Sequence, residues 1–85
     1  MAGRLPGLDR RVSRRERLAV RAKVMIDDKR VSCVIRDRSE GGARLVFSTA
    51  QSLPTRFTLV EEVNGVRREV QLIWAASTEA GVAFL

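Results

Sequence analysis

The sequence has no histidine and no tyrosine, and only one cysteine, one tryptophan and three phenylalanines in 85 residues. Without histidine, neither a catalytic triad nor a His-ligated metal site can form, and general acid–base catalysis loses its most frequent agent. A single cysteine excludes an internal disulfide and a cysteine zinc cluster, and such usage fits a reducing cytoplasm. No stretch approaches the roughly 20 apolar residues of a membrane span. The N-terminus lacks the apolar run of a secretory signal, and Asp9 and Glu16 argue against a transit peptide. A chain this short is one domain at most, with a modest core. These absences fit a cytoplasmic protein and argue against an enzyme, a metal site and a cofactor.

What is abundant is arginine, and it is unevenly spread. Lys+Arg exceed Asp+Glu by 16 to 10, a formal charge of +6. Residues 1–23 hold eight basic side chains against Asp9 and Glu16, while residues 24–85 hold eight of each sign. The pattern is a neutral body with a cationic arm, suited to phosphate, nucleotides, nucleic acid or an anionic surface.

Residues 1–9, with Gly3, Pro6 and Gly7, read as a disordered lead. The arginine run from Asp9 to about Arg21 offers few core positions and reads as one helical turn or extended chain, ordered by a partner. The expected division is a flexible basic arm over 1–21 and a folded body over 22–85. The body reads as strands. Val24-Met25-Ile26 precedes an Asp27-Asp28-Lys29 turn; Val31, Cys33 and Ile35 alternate with Ser32, Val34 and Arg36. Ala43–Phe47 follows Gly41-Gly42, and Ser48 to Pro54 is a polar loop. Asn64-Gly65 suggests a type I′ hairpin turn between Phe57, Leu59, Val63 and Val66, Val70, Leu72, Trp74. Val82 and Phe84 make a last short strand, leaving no C-terminal helix. The fold class is all-β, a small six-stranded antiparallel β-barrel, whose closure removes apolar edges.

Two constellations carry chemistry. Arg10/Arg14, Arg11/Arg15 and Arg17/Arg21 are spaced i, i+4, and a guanidinium fork grips phosphate bidentately, stacks on a base or reads guanine. With seven arginines in 21 residues such spacings also arise in a plain solvated tail. In the segment Arg36–Gly42, Asp37 and Ser39 would share a strand face at the strand's end. Ser39 donates to a phosphate or base edge; Asp37 accepts from guanine N–H groups or holds an arginine. Gly41 and Gly42 allow close backbone approach, although an ordinary turn uses the same residues.

Taken in order, Asp9–Arg15, Arg36–Leu45, Leu72-Ile73-Trp74 and Gly81–Phe84 resemble the PilZ domain over residues 9–85. The resemblance implies a six-stranded barrel that binds the bacterial second messenger cyclic di-GMP, without catalysis. It implies that Arg11 and Arg15 contact the ligand's phosphates and guanines with Arg10 as an auxiliary contact. Asp37, Ser39 and Gly42 would grip one guanine. It leaves the arginine register open between Arg11/Arg15 and Arg10/Arg14. Arg38 stands where the family usually has a small apolar residue, and alternation turns it away from Asp37 toward the rim, where it snorkels. A downstream protein partner is expected.

Two other readings compete: a basic-armed barrel for single-stranded nucleic acid, and a ligand-free adaptor of the same fold. Single-strand binders stack bases on several exposed aromatics. Here Phe47, Phe57, Phe84 and Trp74 all fall in core register, which disfavours nucleic acid. Cys33 reads as a core residue, and Glu61-Glu62 with Arg67-Arg68 as cross-strand pairs beside the turn.

Overall fold

Every strand carries small or branched apolar residues at alternate positions, which puts one face inward and the other in water. The computed structural model describes residues 16–85, with side chains from Ala19 onward. The strands are β1 (Glu16–Ile26), β2 (Lys29–Arg38), β3 (Gly42–Val46), β4 (Arg56–Glu61), β5 (Arg67–Ala75) and β6 (Glu79–Phe84). All pairings are antiparallel and close a barrel in the order β1-β2-β3-β6-β5-β4. There is no helix among the described residues. None is long and apolar enough to cross a membrane.

The interior is filled by Ala22 and Val24 of β1, Cys33 and Ile35 of β2, Leu45, Leu59, Val70, Ala80 and Val82, with Phe47 and Phe57 closing it. Burial of this kind contributes about 1.5–3 kcal/mol for each large side chain. Cys33 is part of this core, and burial, then the nearby Glu62 charge, push its thiol up to about 12.

Three details differ from the sequence expectation. First, β1 reaches back to Glu16, so residues 16–21, expected in the arm, are barrel. Val20 pairs with Ile35 and packs on the core, while exposed Arg21 faces outward. Second, Asn64-Gly65 is not a type I′ turn. Gly65 has φ +70°, but Asn64 is not at positive φ. The β4–β5 connection is longer: the Gly65 amide donates to the Glu61 carbonyl at 2.8 Å, and the Glu61 amide to the Val66 carbonyl at 3.0 Å. Asn64 instead uses its side chain, whose Oδ1 accepts the Val66 amide at 2.9 Å, a local bond that substitutes for a backbone turn. The tight two-residue turn is Asp27-Asp28, between the paired Ile26 and Lys29, with Asp27 at φ 54°. Third, the acids near the hairpin do not pair with its arginines as expected: Glu61 binds Arg38 at 2.9 Å, and the Arg68 guanidinium lies 4.3 Å over the Phe84 ring.

Candidate functional site

The last residues of β2 are aimed by a β-bulge. Its register against β3 shifts between Ile35 and Asp37, and its register against β1 shifts opposite the same point. Both shifts fall at Arg36, and a bulge bends its strand and re-aims the next side chain. Asp37 consequently stands opposite Arg44, Arg44 opposite Gly81, and Gly81 opposite Trp74. This row crosses four strands on one face of the barrel.

Charge in the row is paired off. The Arg44 Nε donates to Asp37 Oδ2 at 2.5 Å, and its Nη1 donates to Glu79 Oε1 at 2.8 Å. Those two hydrogen bonds, Asp37 first, raise the Arg44 pKa. Asp37 is 8% exposed, so of the two roles open to it in the sequence it holds an arginine here.

Arg38 faces the other way, as alternation predicts. It shares a row with Ala43, which packs on the core, and its Nη1 donates to Glu61 Oε2 at 2.9 Å. The bridge links the last residue of β2 to the last residue of β4.

Ser39 departs from expectation. β2 ends at Arg38, so Ser39 lies in the connection and does not share a strand face with Asp37. Its amide donates to the Gly42 carbonyl at 2.9 Å, folding the Ser39–Gly42 segment back on itself. That fold sets Ser39 and Gly42 at a groove of about 220 Å³, together with Arg38, Ile73, Trp74 and Gly81. Asp37 stands beside this groove in the ion-paired row. Arg10, Arg11 and Arg15 lie outside the described residues.

The groove's walls need its glycines. A Cβ on Gly42 would stand 2.1 Å from the Val82 carbonyl oxygen, so only glycine lets β3 lie this close to β6. A Cβ on Gly81 would fall 2.0 Å from the Trp74 Nε1, so the indole rests directly on the β6 backbone. Trp74 was expected to pack in the core or at the barrel mouth; it is 45% exposed on the outer surface. The cause is a second bulge, at Ile73, where the β5–β6 register shifts between Leu72 and Trp74. Beside it Ile73 is 62% exposed.

Sequence reasoning missed Arg44, Glu79, Gly81 and the outward Trp74. A legible signal existed for one: Gly81 interrupts the apolar run Ala80–Val82, and an interior strand glycine marks close approach of another group. Chemically the groove offers a hydroxyl, a flat indole face and nearby guanidinium groups, which suit a planar polar ligand. No cluster of three or more metal-ligating side chains exists among the described residues. The family model described as PilZ domain matches residues 9–85. No curated protein matches the chain.

Proposed function

The chain belongs to the PilZ domain family, and from that premise we propose that it is a receptor for cyclic di-GMP, a binding module without catalysis. Domains of this family are generally receptors of that kind, and the finer assignment rests on how the motif residues lie. The observation that carries it is the groove at the β2–β3 strand end, where Ser39 and Gly42 face the exposed Trp74. A guanine seated there has a hydroxyl at its edge and an indole for its face, and base–aromatic stacking contributes about 1–3 kcal/mol. Asp37, the remaining motif residue, holds Arg44 in the row beside the groove.

The phosphates fall to the N-terminal arginines. We assign that role to Arg11 and Arg15, with Arg10 beside them, because forked guanidinium groups match phosphate oxygens bidentately. Closure of this segment on the ligand converts ligand concentration into a change of shape that a protein partner reads. Arg11→Ala or Arg15→Ala is expected to abolish tight binding while the β-sheet circular dichroism spectrum stays intact.

Calorimetric titration with cyclic di-GMP, with single-stranded DNA as the control, tests the reading. Saturation by the dinucleotide supports it. A flat trace with the dinucleotide and saturation by DNA overturns it.

A further inference from the structure

The wall opposite the motif groove is chemically different. In the ring of strands the β1–β4 seam lies across the barrel from the β3–β6 seam. On its outer side a groove of about 470 Å³ is bounded by Lys23, Arg30 and Arg67, with Met25 and Val60 in its floor. The register builds it: Lys23 pairs with Val60 and Val60 with Arg67, while Met25 pairs with Arg30. Their neighbours Ala22, Val24 and Leu59 point into the core, so these side chains face outward.

None of the three cations has an ion pair or a side-chain hydrogen bond among the described residues. Of the acids at the rim, Glu61 is committed to Arg38. Glu62 is exposed at the groove's edge and leaves the three cations in excess. A surface free to neutralise itself would intersperse its charges, as the Asp37-Arg44-Glu79 row does. Three unpaired cations around a half-buried apolar floor form a complementary surface for an anionic, partly apolar partner.

We propose that this groove docks an acidic segment of a partner protein, with carboxylates for Lys23, Arg30 and Arg67 and an aliphatic side chain between them for the Met25/Val60 floor. Two other occupants fit worse. The chain's own residues 1–15 carry five arginines against one aspartate and would be repelled. A nucleic acid strand would call for exposed aromatics, and Phe47 and Phe57 are buried while Trp74 is on the opposite wall. The closed barrel offers no edge for strand addition, so side chains supply the recognition. The proposal stands independently of the cyclic dinucleotide.

The test is selection of a phage-displayed random dodecapeptide library on the full chain and on its Lys23→Glu/Arg67→Glu variant. The wild-type pool is expected to be enriched in acids flanking an aliphatic residue. A synthetic peptide of the enriched sequence, followed by fluorescence anisotropy, should bind the variant more weakly by on the order of tenfold. Matching circular dichroism spectra exclude unfolding as the cause; if the double reversal unfolds, Lys23→Ala/Arg30→Ala reads the same loss. A pool without acidic enrichment, or equal binding to the folded variant, overturns the proposal. Displacement of the peptide by decathymidylate also overturns it, in favour of nucleic acid.

Discussion

The two walls of this barrel are built from the same alternating strands and do opposite things with their outer faces. Around the β3–β6 seam the backbone is packed as closely as glycine allows, and charge is internally satisfied through Asp37, Arg44 and Glu79. Around the β1–β4 seam the outer face carries Lys23, Arg30 and Arg67 with no acid bound to them among the described residues. Tight packing with neutralised charge makes a shaped site for a small ligand, whereas open cations over an apolar floor suit a macromolecular surface.

Substitution should separate the walls by size of effect. Gly42→Val puts carbon atoms against the Val82 carbonyl and must part β3 from β6. Overpacking of this kind costs about 3 kcal/mol, read as a lower urea midpoint, while Lys23→Ala on the far wall should stay within about 0.5 kcal/mol. Equal losses at both positions would erase the contrast in packing.

The core strand beneath the cationic wall gives the next effect. Cys33, paired with Ala22, has its thiol raised from 9.0 to about 12. Below pH 9 the thiol is neutral in both folded and unfolded chains and causes no pH dependence. Above pH 9 the unfolded thiol ionises and the folded one does not, so stability falls by about 1.4 kcal/mol per pH unit until the folded pKa is passed. Cys33→Ala should remove that slope from urea midpoints measured between pH 8 and 10.5. An unchanged slope would show that the thiol is not held neutral.

A smaller effect belongs to the ion-paired row. Asp37→Ala removes the first partner of Arg44 and leaves Glu79 as the other. The urea midpoint should drop less than for Gly42→Val, and salt should diminish the difference from wild type because part of it is electrostatic. A variant as stable as wild type at low salt would mean that the row contributes nothing to the fold.

Most of the barrel was legible because alternation of apolar residues directly encodes which face is buried, as Val31-Cys33-Ile35 and Val70-Leu72 illustrate. Two of the misplaced features lie where the period of two breaks. The bulge at Ile73 turned Trp74 from core register to the outer surface, and the end of β2 at Arg38 took Ser39 off the strand. The start of β1 was hidden because the arginine run that holds it offers few apolar positions for a core. The motif positions Ser39 and Gly42 were singled out by the resemblance, and both lie at one groove. Arg44 and Glu79 were not, because a cross-strand ion pair leaves no mark at any fixed spacing in sequence.

Trp74 is the chain's single tryptophan and it borders the motif groove, so its fluorescence reports on that wall alone. Titration of the full chain with cyclic di-GMP should give a saturable change in Trp74 emission. The change should be absent for Arg15→Ala and unaffected by Lys23→Glu/Arg67→Glu on the far wall. Emission that stays flat while calorimetry records binding would place the ligand elsewhere and contradict the assignment of the groove.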